Sequence, residues 1–160
     1  MDVRGLSTPV YRKILVGYDG RHASKCALRR ALQIAKSLGA EVTVLRVLHE
    51  EIHYAHPLSA EEAKEVRKIY LADLEKEVKE LIKGEDAAGV KVSCDVIIGD
   101  PAEEILNYAE TKGYDLIVVG RRNVGTLKRI LLGSVTTKIV TYAKGVEVLV
   151  IEPWEDVCRL

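Results

Sequence analysis

Apolar residues follow two alternating rhythms along this chain. Short β-branched runs recur, and between them apolar positions return every three or four residues. Ile14-Leu15-Val16 is the first run, closed by Asp19-Gly20, and it predicts a buried strand over Lys13 to Asp19. Ala27, Ala31, Ile34, Ala35 and Leu38 then repeat at helical spacing, and Gly39 sits where a helix-ending glycine belongs. Val42 to Leu48 predicts a second strand, and the polar stretch from Glu50 to Pro57 a loop. Ser59, with Glu62 three residues on, reads as a capping box. The helix it opens sets Ala63, Val66, Tyr70, Leu74, Val78, Leu81 and Ile82 on one stripe against a Lys- and Glu-rich face. Gly84 and Gly89 bracket its exit.

The rhythm continues to the end. Lys91 to Ile98 predicts strand three. Asp100-Pro101-Ala102-Glu103 is a second helix start, with Asp as cap and Pro where its missing N–H costs nothing. Ala102, Ile105, Leu106 and Ala109 face inward, and Gly113 ends the helix. Asp115 to Val119 is strand four. After a glycine-bearing loop, Val135, Ile139 and Ala143 mark a last helix, ended by Gly145. Val146 to Ile151 is strand five, stopped by Pro153. Strands separated by helices imply an α/β fold, an open parallel five-stranded sheet covered on both faces by right-handed crossovers. The expected organisation is a single domain over 1–160, with a core of about 11–152 and short tails.

Composition narrows the picture. The chain has 160 residues, 48% hydrophobic and 30% charged, with 24 Lys+Arg against 24 Asp+Glu. Zero net charge argues against a whole-protein electrostatic grip on nucleic acid or anionic lipid. No apolar run approaches the ~20 residues of a spanning helix. Met1 to Tyr11 has no apolar stretch typical of a secretory signal. Cys26, Cys94 and Cys158 are odd in number and widely spaced, which reads as reduced thiols and a cytoplasmic location. With no Phe, the core must be Ile, Leu, Val and Ala.

Ligands of such a sheet bind beyond the carboxyl ends of the strands, where strand order reverses. Two exits are chemically unusual. Gly17-Tyr18-Asp19-Gly20 follows strand one, and Gly120-Arg121-Arg122-Asn123-Val124-Gly125-Thr126 follows strand four, ahead of Gly133-Ser134-Val135-Thr136. Glycines admit an anion close to backbone N–H groups, and a helix start adds unpaired donors and partial positive charge. Ser134 and Thr136 add hydroxyls, and Arg121, Arg122, Lys128 and Arg129 add charge for phosphate. Thr126 stands where a P-loop needs Lys, and no GxGxxG follows a strand. His49, His53 and His56 cluster with acidic residues, but across a strand end and a Pro-containing loop, which fits a lid over the site better than a metal site. His22 beside the Asp19 turn reads as an exposed helix-start residue.

These segments together resemble the universal stress protein family. Gly120, position 123, Gly133 and Ser134 fall on the spacing G-x2-G-x9-G-[S/T] carried by its ATP-binding members. The flanks Leu131-Leu132 and Val135-Thr136, the run Lys13 to Gly20 and the run Asp115 to Gly120 are also similar, so the likeness covers about Tyr11 to Glu152. The chain departs at the second motif glycine, which is Asn123. Asn is the residue after Gly most tolerant of left-handed backbone, at about 1 kcal/mol.

The resemblance implies a Rossmann-like sheet of order 3-2-1-4-5 that binds ATP or AMP with Mg²⁺. It implies that Asp19 holds the ribose hydroxyls or the metal, and that Val47 bonds adenine through its backbone. Gly17 and Val119 would border the nucleoside and Gly120 the ribose, with Asn123, Gly133, Ser134, Val135 and Thr136 around the phosphates. It further implies a homodimer paired through strand five, Val146 to Ile151, acting as a nucleotide-dependent switch with slow turnover or none. Asn123 motivates an alternative, a nucleotide-free dimeric interaction module. Asp19 with Mg²⁺ and the Arg121/Arg122 pair motivate a second, a slow ATP hydrolase or nucleotidyl transferase.

Overall fold

The apolar runs lie side by side as one parallel sheet. In the computed structural model, which describes residues 10–49, 56–83, 87, 89–121, 132–153 and 158, β1 is Lys13–Gly17, β2 Glu41–Leu48, β3 Val92–Ile98, β4 Leu116–Gly120 and β5 Glu147–Ile151. Their order is β3-β2-β1-β4-β5, all neighbours parallel. The order reverses between β1's neighbours β2 and β4, which sets the crevice at the carboxyl ends of β1 and β4. Both faces are covered by helices: α1 (His22–Leu38), α2 (Ala60–Ile82), α3 (Pro101–Lys112) and α4 (Ser134–Tyr142).

Strand alternation divides the core. Ile14, Val16, Val42, Val44, Leu116 and Val118 are buried with Leu28 and Leu32 of α1 and Leu74 and Val78 of α2. Leu15, Leu45, Ile117 and Val119 point the other way, to Ile105 of α3 and Ile139 of α4. Both faces being apolar, the strands read as continuous hydrophobic runs. Each buried side chain of this size contributes about 1.5–3 kcal/mol. The start of β1 is fixed against β4 by Asp115, whose carboxylate accepts the N–H groups of Arg12 and Lys13.

Helix boundaries follow local chemistry. Ser59 Oγ accepts the Glu62 N–H at 3.1 Å, and the Glu62 carboxylate accepts the Ser59 N–H at 3.4 Å. Asp100 accepts the Glu103 N–H at 3.0 Å. Gly39 (φ 69) and Gly113 (φ 74) end α1 and α3 in the left-handed conformation. The predicted stop of the last helix at Gly145 comes early, at Ala143, and Gly145 (φ 68) turns the chain into β5. No helix among the described residues is long and apolar enough to cross a membrane.

The reading of all three cysteines as reduced thiols is corrected. Cys26 and Cys158 form a disulfide across 132 residues of sequence, and Cys94 alone is free. Cys158 lies against α1, a contact that cysteine spacing cannot encode. Closing so long a loop is worth about 4–5 kcal/mol in the chain-entropy account.

Candidate functional site

A cavity of about 270 Å³ opens at the carboxyl ends of β1 and β4. Its size is near the lower end of small-molecule pockets, about 300 Å³ and up. Gly17, Asp19, Val47, Val119, Gly120, Gly133, Ser134, Val135 and Thr136, all singled out in the sequence, line it. Asn123, Arg122, Lys128, Arg129 and His53 lie outside the described residues. Tyr18, Arg21, Ala23, Ser24, Leu45, Pro101 and Ile105 line it too. Sequence reasoning passed over these. Pro101 carried a signal as the first residue of α3, and Ser24 as a hydroxyl in the turn after Asp19; Leu45 and Ile105 read only as core.

The β1 exit is tightly built. Asp19 Oδ1 accepts the Arg21 N–H at 2.9 Å, and the Ser24 hydroxyl lies 2.9 Å from it as well. That hydroxyl is also 2.9 Å from the Arg21 carbonyl, so its single proton serves one acceptor at a time. Ser24 Oγ in turn accepts the Asp19 N–H at 3.3 Å. The carboxylate is thereby oriented at the cavity wall. Tyr18 donates its hydroxyl to Glu77 of α2 at 2.7 Å, and burial and that carboxylate raise its pKa above the usual tyrosine range.

Gly120 closes the β4 exit against α1. A Cβ there would meet the Ala23 carbonyl oxygen at 2.1 Å, so only glycine lets β4 and α1 approach this closely. Gly133 differs. Its φ is −59°, which any residue adopts, and a Cβ there would meet nothing within 4 Å among the described residues.

Three helix starts reach this cavity, those of α1, α3 and α4; Asp100 caps α3, and the cap residues of the other two make no such bond. The cap position of α1 is Arg21 and that of α4 is Gly133, without a side-chain hydrogen bond at either. The first N–H groups of a helix have no acceptor within it, and they carry partial positive charge. Ser134 is the first residue of α4 and Gly133 its cap. The cavity therefore joins an apolar side (Leu45, Val47, Ile105, Val119) to a polar side suited to an anion. A planar base and a phosphate fit these two sides.

Arg121 is spoken for. Its guanidinium pairs with Glu152 at 2.6 Å with the side chain only 12% exposed, and its N–H donates to the Ile151 carbonyl. It ties β4 to the end of β5 and is absent from the cavity lining. The histidine cluster is not brought together as a metal site among the described residues. His49 follows β2 with Nδ1 buried, and exposed His56 bonds the Pro57 carbonyl. His22, Cys26 and Cys158 are the residues that do gather ligand atoms.

Comparison with known proteins is consistent along the chain. The model of the universal stress protein family matches residues 10–152. Universal stress protein YxiE of Bacillus subtilis is 36% identical over 138 residues, 81% of this chain and 92% of that protein. The solved structure of MJ0577, a universal stress protein of Methanocaldococcus jannaschii, superposes with a TM-score of 0.68 at 31% identity. That match covers 89% of this chain and 96% of MJ0577. A universal stress protein crystallised in complex with cAMP shares the fold at a TM-score of 0.68 and 24% identity, over 91% of this chain and 99% of that one.

Proposed function

The chain belongs to the universal stress protein family, and from that premise we propose that it binds an adenine nucleotide, ATP or AMP, at the β1/β4 cavity. The observation that carries the reading is Gly133. It is a glycine that neither φ nor packing among the described residues requires, at an uncapped helix start on the cavity wall. What remains for it is room for a ligand to approach the backbone closely. Adenine would lie against Val47 and Val119, ribose near Asp19 and Gly120, and phosphates at Gly133, Ser134, Val135 and Thr136. Asn123 would complete the phosphate loop. Asp19, oriented by Ser24 and the Arg21 N–H, is the residue that would hold Mg²⁺ with the phosphates. The relative solved with cAMP supports an adenine nucleotide as the ligand class.

Binding would bias a regulatory homodimer rather than drive turnover. β5 is a sheet edge, and next to it in sequence Val140 and Tyr142 of α4 are exposed, Tyr142 at 65%. An uncovered apolar edge is stabilised by pairing with a second copy. The experiment is a calorimetric titration of ATP and of AMP, with Mg²⁺, into the wild type and Gly133→Val. Micromolar binding by the wild type, lost in the variant, is expected. No binding of either nucleotide at millimolar ligand overturns the reading and leaves the nucleotide-free dimeric module.

A further inference from the structure

Outside the cavity, two cysteines and a histidine meet at the start of α1. Cys26 is bonded to Cys158, and His22 Nε2 lies 3.7 Å from Cys26 Sγ. One ligand atom from each of the three falls within 4.8 Å of the others. His22 precedes Cys26 by four residues, so the two share one side of the helix. Access is graded: Cys26 is fully buried, Cys158 half-buried and His22 exposed. Cys94 on β3 stands apart, its thiol pushed up to about 11 by burial and the nearby Glu75 carboxylate. A thiol of that kind stays protonated at neutral pH and exchanges slowly.

We propose that His22, Cys26 and Cys158 form a thiol-exchange site whose partner is a low-molecular-weight thiol/disulfide couple. Reduction begins when an external thiolate attacks Cys158 Sγ, the more accessible sulfur. The Cys158–Cys26 bond breaks, a mixed disulfide forms on Cys158, and Cys26 departs with the electron pair as thiolate. The His22 imidazolium gives that sulfur its proton, and exposed His22 is reprotonated from solvent. A second external thiolate attacks the partner sulfur of the mixed disulfide. The partner leaves as its own disulfide, and Cys158 takes a proton from water. Two external thiols are oxidised to one disulfide, and two electrons and two protons reach the protein. In the reverse direction Cys158 captures the small disulfide, and Cys26, beside its imidazole, closes the bond. His22 and Cys26 bracket Ala23 and Ser24, so the exchange takes place one turn from the cavity wall.

The test uses the full chain equilibrated in buffers of reduced and oxidised glutathione, quenched with acid, alkylated after unfolding and read by peptide mass spectrometry. Cys26 and Cys158 are expected to become alkylatable together in one two-electron transition, with Cys94 alkylated at every poise. His22 is exposed, so His22→Gln leaves the fold in place. It should slow reduction by glutathione at least about tenfold and leave a steeper rise between about pH 6 and 8, the rise of the attacking thiolate alone. Cys94→Ser should change neither. Alkylation of Cys26 and Cys158 in the fully oxidising buffer overturns the proposal. So does a His22→Gln protein that is reduced at the wild-type rate with the wild-type pH profile.

Discussion

α2 and α3 begin behind side chains that close their first turns, whereas α1 and α4 begin with none. Ser59 and Asp100 each accept an N–H of the turn they open. Arg21 and Gly133 do not, and those two starts flank the cavity together with the capped start of α3 at Pro101. A cap contributes about 1 kcal/mol, so leaving one out weakens a helix. At α4 the same omission leaves first-turn N–H groups without a cap acceptor on the cavity wall. Within the cavity the glycines divide in the same way. Gly120 is fixed by the Ala23 carbonyl, while Gly133 faces open space.

Capping α4 artificially would break the contrast most sharply. Gly133→Asp should install an acceptor at the cap and place negative charge where phosphate would lie. Nucleotide affinity should fall roughly a hundredfold, about 2.8 kcal/mol, by titration. The urea midpoint should rise or hold, since Asp is better than Gly at a cap by a few tenths of a kcal/mol. Gly120→Ala should do the reverse. Its methyl group collides with the Ala23 backbone, and about 2 kcal/mol of stability should be lost in urea melts before any ligand is added. Ser59→Ala opens α2, a capped helix with no residue in the cavity lining, and should cost about 1 kcal/mol of stability with nucleotide affinity unchanged. An affinity loss there would mean that the caps do not separate site from scaffold.

Alkali provides the gentlest test. Burial and the Glu77 and Asp95 carboxylates raise Tyr18 and Tyr108 from 10.0, and the Cys94 thiol is raised from 9.0 to about 11. A raised pKa means that the folded state holds the proton more tightly than the unfolded chain. Stability is therefore full below about pH 9 and declines as pH rises beyond it. Backbone N–H donors do not titrate in this range, so affinity should stay flat up to about pH 9 while the urea midpoint falls above it.

Strands, caps and the cavity's glycines were legible because each is written in a few consecutive residues. Short apolar runs and period-three-to-four patterns placed every described strand and helix, and Ser59-x-x-Glu62 and Asp100-Pro101 marked their helices in advance. Partners brought together by tertiary structure were not. Arg121 read as a phosphate ligand, because nothing near it in sequence announces Glu152 at the end of β5. Asp115 read only as part of a family-like run, yet it holds the N–H groups of Arg12 and Lys13 from more than a hundred residues away. Cys26 gave no sign of Cys158 for the same reason. Pairings of that kind depend on where the chain returns, and hydrophobic rhythm does not encode the direction of a tail.

The Cys26–Cys158 bond makes a covalent ring of nearly the whole protein. β2, β3, β4 and β5 lie within the ring, and β1 alone among the described strands lies on the free arm outside it. The strand at the centre of the sheet thus belongs to the one segment that is not part of the loop. A protease that cuts anywhere between the two cysteines opens the ring without shedding a fragment. The cut chain keeps its full mass until a reductant is added, and only a cut ahead of Cys26 or beyond Cys158 releases a piece.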